Sequence, residues 1–450
     1  MTKQRISAPI SRRTLLGTTA AAGAALTASR VLSASAAPGI KQQFSATYQD
    51  GGEITFALTS DDQAKIQPLL DEYQADTGTT VNTATAPYGD LYTQLNITLT
   101  QAGDAYDVVS LDDPWIPQFA GGEFLLNLEE LMDAQGITID ADFIPELLAL
   151  GDFPAGTGLR GIPWVGNVQV FAWRTDLLEE LGATAPATWD DVLALATQVT
   201  EAMGTDGVYG IGVRGQPGNP AATSFLPTLR GFGKDLLDPE TSEPQLETSE
   251  AMEAIALHLS LAGQAPPGIE NVGHAENGIN LYSGAIAMSG DIWPDQLLQA
   301  FDPELSQVVG MIEVGAEPAQ PGVEPANMTG NWLLGIPSGS QNAERALDFI
   351  TWFTSAEIQK RLILENNIPA TRTSVMQDEE AVAKLPFLPG MLAAAGNALP
   401  RPRTPFYGAL EEIYGRYVSQ AIAGQTDGES AMRDANQEMR ELLVREGVLS

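Results

Sequence analysis

Three observations predict an α/β fold with parallel strands. Short β-rich runs alternate with helix-period runs after Gly51. Hydrophobic residues make up 44% of the chain, with 7 Trp, 10 Tyr and 14 Phe to fill a core. Turn signals separate the runs at βαβ spacing. At 450 residues the chain is long enough for about two or three domains.

The first strand is read at Glu53–Leu58. Asp61 or Asp62 then caps a helix carrying Ile66, Leu69, Leu70 and Tyr73 on one face, with Gly78 as its stop. A second strand at Thr80–Ala86 precedes a helix marked by Leu91, Leu95 and Leu99. The apolar run Asp107–Leu111 is a third, buried strand. A second block has a strand at Val168–Arg174 and a helix from Thr188 to Gly204 bearing Trp189, Val192, Ala196 and Val199. Residues 214–220 and 231–247 are Gly/Pro/Asp-rich and read as surface loops. Next come a helix near 249–263, a strand at Ala285–Ser289 and a Pro/Gly connector over 315–326. A strand at Trp332–Ile336, a helix capped by Ser340, another near Ala356–Leu364, and a helical tail after Pro400–Pro405 complete the chain.

Residues 1–36 read as an address label. Ser11-Arg12-Arg13-Thr14-Leu15-Leu16 is a twin-arginine signature, an Ala/Gly-rich stretch follows, and Ala34-Ser35-Ala36 offers a cleavage site. A flexible leader spans 37–50. With no cysteine after the signal there is no lipid anchor. The expected product is periplasmic or extracellular, exported folded by the twin-arginine route.

The charge excludes whole classes of partner. Lys+Arg number 23 against 58 Asp+Glu, a formal charge of −35; removing residues 1–36 leaves 18 basic residues against 58 acidic ones. Such a surface repels nucleic acid and anionic membranes. Without cysteine there is no thiolate metal site or cysteine nucleophile, and His258 and His274 are too few for a histidine metal centre. No cofactor and no metal are expected. There is no nucleophile elbow and no phosphate loop.

The tryptophans carry more information. Trp115, Trp164, Trp293 and Trp332 sit at predicted strand ends or turns, whereas Trp189 and Trp352 fall on helix faces and read as core. Open α/β sheets bind ligands outside their strand ends, where an indole can stack on the C–H face of a sugar or simply pack as core. Asp112-Asp113 beside Trp115, and Asp291 and Asp295 around Trp293, could accept hydrogen bonds from sugar hydroxyls or serve a two-carboxylate glycosidase.

On these stretches the sequence resembles a bacterial extracellular solute-binding protein of family 1, the carbohydrate-binding component of ABC importers, related to maltose-binding proteins. The resemblance runs through Gly52–Gly78, Tyr106–Trp115 with Phe119-Ala120-Gly121-Gly122, Gly161–Trp164 into Asp176, Gly284–Trp293, and Asn331–Pro337 with Ala343–Phe353 and Ile368–Arg372. Arg401-Pro402-Arg403-Thr404-Pro405 also fits. It implies two periplasmic-binding-protein-like α/β lobes joined by crossing hinge segments, with the ligand cleft between them. The N-terminal lobe would comprise 51–163 plus about 332–366, and the C-terminal lobe 164–331 plus about 367–450. It implies ligand-facing roles for Asp61, Asp62, Tyr88, Asp113, Trp115, Trp164, Asn167, Asp291, Trp293, Asn331, Trp332 and Arg372, with Asp112 competing with Asp113 for the cleft. The implied protein is a monomeric, non-catalytic receptor that closes on a mono- or oligosaccharide and delivers it to a membrane permease. An exported glycoside hydrolase and a polyamine-binding protein are the alternatives.

Overall fold

The computed structural model describes residues 51–450; the twin-arginine segment over 1–36 and the leader over 37–50 lie outside the described residues. In chain order the strands are β1 (Gly52–Thr59), β2 (Thr79–Ala86), β3 (Val108–Asp112), β4 (Ile162–Val165), β5 (Val170–Arg174), β6 (Met288–Ile292), β7 (Ile312–Gly315), β8 (Asn327–Met328), β9 (Trp332–Gly335) and β10 (Ala398–Leu399). They form a five-stranded sheet in the order β2-β1-β3-β9-β4, a three-stranded sheet β6-β5-β7, and the pair β10-β8.

The parallel arrangement expected of the first strands holds there, and the pair β10-β8 is parallel as well. β1 runs parallel to β2 from Gly52 opposite Thr79 to Thr59 opposite Ala86, and β3 is parallel to β1. By contrast β9 is antiparallel to both of its neighbours, and the three-stranded sheet is antiparallel throughout. β9 enters the first sheet from β8, in another sheet, so no helical crossover forces it to run parallel.

The period of two along β1 divides the first core. Ile54, Phe56 and Leu58 pack on one face with Tyr73, Phe349 and Phe353, while Ala57 joins Leu91, Leu95, Val109 and Trp115 on the other. Phe56 and Phe349 meet edge to face at 5.6 Å; losing such a ring costs about 3–5 kcal/mol. Around the second sheet, Phe171 and Trp189 pack in one cluster and Val170 and Ala172 in another. A helical layer with Phe225, Tyr407, Tyr414 and Met439 adds a third.

Several local expectations shift. Helix α1 (Ser60–Thr77) is capped by Thr59, whose Oγ1 accepts the Asp62 N–H at 3.2 Å, so Asp61 and Asp62 occupy its first turn instead of the cap. There their negative charges suit the helix N-terminus. The helix Ala343–Phe353 starts after Asn342, while Ser340 donates its hydroxyl to Asp107 Oδ1 at 2.7 Å. The strand expected at Ala285–Ser289 is β6, three residues later. Residues 214–220 are not all surface: Arg214 is buried.

Two passages that enter or leave the first sheet run side by side, bridged at Val168 and Thr329. Only residues 166–169 separate β4 from β5, and only 329–331 separate β8 from β9. Gly330 N–H donates to Asn167 O at 2.9 Å, and Gly166 N–H to Pro369 O at 2.9 Å. A Cβ on Gly166 would fall 2.1 Å from Ala370 O, so a side chain there would push the passages apart.

Candidate functional site

The parallel strands of the first sheet end at one edge, the usual location of ligand crevices in α/β sheets. Asp61 and Asp62 follow β1, Tyr88 follows β2, and Asp113 and Trp115 follow β3. β9 starts opposite the end of β3, with Trp332 across from Asp112. The preceding residue, Asn331, donates its N–H to Asp113 Oδ2 at 3.0 Å and accepts the Asp113 N–H at 2.9 Å.

Both members of the double acid are buried and shared by one guanidinium. Arg401 Nη2 donates to Asp112 Oδ1 at 2.6 Å and to Asp113 Oδ1 at 3.0 Å. The Tyr88 hydroxyl donates to the other Asp112 oxygen at 2.8 Å. Burial pushes the Asp113 carboxyl above the usual carboxylate range, with Arg401 opposing. Burial also works against the charge on Arg401, but Asp112 and Asp113 outweigh it and hold the guanidinium firmly protonated. Arg401 carried no expected ligand role, because nothing in a proline-rich run shows which distant acids it will meet.

Three rings stand beside this cluster. Tyr88 lies 5.0 Å from Trp115 and 5.8 Å from Trp332, and the two indoles are 5.5 Å apart. Trp115 is buried, Trp332 is half-buried and Tyr88 is 48% exposed. The buried indole therefore backs two rings that reach the surface. Asn331, wholly buried between them in sequence, leaves both Oδ1 and Nδ2 without a partner, as does Nε of Arg401. Buried polar groups are normally satisfied, so these atoms mark places where a solute or water completes the network.

Gly330 ties this group to the second sheet. A Cβ there would lie 2.4 Å from the ring of Trp293, so the indole packs directly on the backbone. Trp293 Nε1 donates to Asp291 Oδ1 at 3.1 Å, Gln169 Nε2 donates to the same oxygen at 2.5 Å, and Arg214 Nη2 adds a bond at 2.6 Å. Arg214 Nε bonds the second oxygen, and Arg214 also meets Thr223. Asp291 is thus saturated by side chains of its own half, with His274 Nδ1 3.5 Å from Arg214 Nη1. His274 opens a helix, His274–Tyr282, and its Nε2 is 2.8 Å from Asp295 Oδ2.

Behind Asp291 is a cavity of about 10 Å³, lined by Trp189, Thr228, His258 and Gly290 among others. That is room for about one water. His258 faces Thr228 through Nδ1, and burial lowers its pKa to about 4 despite the charge of Asp291. Both oxygens of buried Glu317 lack partners; burial, then the charge of Asp291, pushes its carboxyl well above the usual range.

The structure brings together Tyr88, Asp113, Trp115, Asn167, Asn331, Trp332 and Trp293, and sets Asp291 one layer behind. It leaves four expected residues apart: Trp164, Arg372, Asp61 and Asp62. Trp164 is fully buried, with Nε1 donating to Ser110 Oγ at 3.0 Å and its ring 5.4 Å from Phe353. It is a core side chain, because β4, the edge strand of the first sheet, turns it onto the face that packs with Phe56, Phe349 and Phe353. Arg372 donates Nε to Thr354 O at 2.9 Å and Nη1 to Asp140 Oδ2 at 2.6 Å, and its guanidinium sits 3.6 Å from the Phe143 ring centroid. Its hydrogen bonds join chain segments. Asp61 is exposed, and half-buried Asp62 accepts the Thr59 hydroxyl at 2.6 Å.

Among the described residues no group of His, Asp and Glu could hold a metal ion, and no helix is long and apolar enough to cross a membrane.

Comparison with known proteins agrees with this architecture. A probable ABC transporter-binding protein of Deinococcus radiodurans is 26% identical over 368 residues, covering 78% of this chain and 83% of the relative. A probable amino-acid ABC transporter periplasmic-binding protein of Sinorhizobium fredii is 24% identical over 393 residues, covering 84% and 86%. The crystal structure of an ABC transporter solute-binding protein from Agrobacterium radiobacter K84 in complex with ribitol matches with a TM-score of 0.79 at 26% identity, over 88% of this chain and 100% of that one. The fold is therefore that of the periplasmic binding proteins, two α/β lobes joined by crossing segments. The profile of the bacterial extracellular solute-binding protein family matches residues 57–360, and the chain belongs to that family as a solute-binding component of an ABC transporter.

Proposed function

We propose that this chain is the exported receptor of an ABC importer for a sugar alcohol or small sugar, which it captures by closing two lobes around the solute. The observation that carries this reading is the run Gly330-Asn331-Trp332. Within three residues it touches Trp293 of one sheet region, the Asp113 carboxylate of the other, and the Tyr88–Trp115 ring group. A solute lying against this run meets both halves at once.

The chemistry suits hydroxyl groups on a carbon chain. Tyr88 and Trp332 offer apolar faces to C–H groups, a contact of about 1 kcal/mol beyond area burial by analogy with ring pairs. The Asn331 amide offers one acceptor and two donors, and satisfying such a buried group recovers about 1–3 kcal/mol. The ribitol complex of the Agrobacterium protein supports a polyol of about this size. Lobes bounded near 163 and 331, with a further crossing near 367, place the flexing backbone in the short passages, where a solute touching both lobes would shift the open–closed population. The twin-arginine segment supports export, and the family supports delivery to a permease; the receptor is taken to act as a monomer.

The name of the Sinorhizobium relative supports a second reading, an amino acid, for which carboxylates and guanidiniums are also apt partners. A thermal-shift and tryptophan-fluorescence screen of ribitol, D-mannitol, maltose and the common amino acids separates the two. The expected result is a rise in melting temperature with a polyol or sugar and no turnover. Stabilisation by amino acids alone, or release of reducing sugar from a glycan, would overturn the proposal.

A further inference from the structure

The acids of this site do not stand as free negative charge. Asp112 and Asp113 are buried and share the Nη2 group of Arg401. Arg403 lies close enough for its charge to favour the Asp113 carboxylate as well. Asp112 and Asp113 are therefore set against two guanidiniums. Glu411 is also within reach of Arg401; its Oε1 accepts the Tyr407 hydroxyl at 2.9 Å and the Asn219 amide at 3.0 Å, and burial pushes its carboxyl up, toward the neutral form. Asp291 repeats the device in the other region, with Arg214 clamped across both of its oxygens. The chain carries only 23 basic residues against 58 acidic ones, so this placing of arginines against the acids of one site is selective.

The consequence concerns the charge of the solute. Arginine-paired carboxylates retain lone pairs that accept hydroxyl protons, but they present little net field to hold an ammonium group. A cation at the same place would face the Arg401 guanidinium, whose Nε is buried without a partner, and the amide of Asn331, also unpartnered. An ammonium would lose its hydration there while the carboxylates beside it, Asp112 and Asp113, are already paired with Arg401 and Glu411 is held back from its charged form by burial.

We infer that Arg401 is a specificity-determining residue that sets the charge class of the solute: hydroxylated neutral molecules are admitted and their amino analogues are rejected. Arg401 acts through the double acid, as a positioning residue. The inference rests on the solute reading above and goes beyond it, since a polyol site built on free carboxylates would accept an amino-polyol at least as well.

The test is calorimetric titration near pH 6 with matched pairs differing by one hydroxyl replaced by an ammonium: D-glucitol with D-glucamine, and D-glucose with D-glucosamine. Wild-type protein is expected to bind the neutral member at least tenfold more tightly. Arg401→Gln should raise the amine-to-neutral affinity ratio by tenfold or more, and Asp112→Asn, which leaves Arg401 in excess, should lower it. A purely structural role for Arg401 would weaken both members equally. Equal binding of the pair by wild-type protein, or a ratio unmoved by Arg401→Gln, overturns the inference and leaves the polyol reading standing. Should Arg401→Gln fail to fold by near-ultraviolet circular dichroism, Asp112→Asn decides, and an unchanged ratio overturns the inference. Failure of wild-type protein to bind any neutral probe, ribitol included, overturns the solute reading itself.

Discussion

Asp113-Pro114-Trp115 and Asp291-Ile292-Trp293 are the same short pattern at the ends of two strands, β3 and β6, yet they finish in different environments. At the first, Asp113 is held by Arg401 and the Asn331 backbone, and Trp115 backs Tyr88 and Trp332, which reach the surface. At the second, Asp291 receives Arg214, Gln169 and Trp293 from its own half, and the Trp293 ring lies on Gly330. In the proposed reading the first pattern presents groups to a solute, and the second braces the wall behind it. An acid next to an indole thus stands at a strand end in both regions, but the number of side-chain donors on it differs, and on the proposed reading that difference separates an acid facing a ligand from one supporting the residue that does.

The largest effect tests the bracing role. Arg214→Met leaves Asp291 a buried, uncompensated charge and should cost about 3–5 kcal/mol in urea unfolding. A loss below about 1 kcal/mol would show that the second pattern is not structural.

The next prediction concerns pH behind that wall. The folded pKa of His258 is lowered from 6.5 to about 4. Its contribution to stability is therefore fully present above pH 6.5 and is lost as pH falls through about 4, with a size on the order of 3 kcal/mol at most. Glu317 works with the opposite sign. Its folded pKa is raised, so its contribution is complete below the ordinary carboxylate range and is lost as pH rises through the raised value. Urea midpoints from pH 4 to 8 should show a flatter acid limb in His258→Asn and a flatter neutral limb in Glu317→Gln. Unchanged profiles in both would mean the cavity already hydrates these groups.

At the first pattern the expected change is in binding. Tyr88→Ala removes an exposed ring and one bond to Asp112, and should weaken the best polyol or sugar about tenfold, ~1.4 kcal/mol, with a smaller loss of stability. Full affinity in this variant would move the solute away from the ring group. Asp61→Asn is the smallest case. It alters an exposed first-turn residue, so stability should move by no more than about 0.5 kcal/mol and affinity by less than twofold. A tenfold loss would extend the site to the end of β1.

Much of the fold was legible because its signals are local. The face Ile66, Leu69, Leu70 and Tyr73 packs as its spacing implies, and Gly78 ends that helix in the left-handed region at φ 77°. Trp189 is buried on its helix as the periodicity requires. The site was legible as a set of strand ends, since Tyr88, Asp113, Trp115 and Trp332 all meet at one edge. Trp164 and Arg372 fell outside that gathering. The neighbours of a short strand and of a lone guanidinium come from distant segments, here Ser110 and Phe353 for the first and Asp140 and Thr354 for the second.

By itself the sequence determined the α/β elements, the bias toward acid and the absence of thiol chemistry, because each depends on composition or on spacing along the chain. Only the tertiary structure decided which cation meets which acid. Arg401 lies 289 residues from Asp112 and Arg214 lies 77 from Asp291. Coulomb attraction and burial act across space, and no pattern in the one-dimensional order records that pairing.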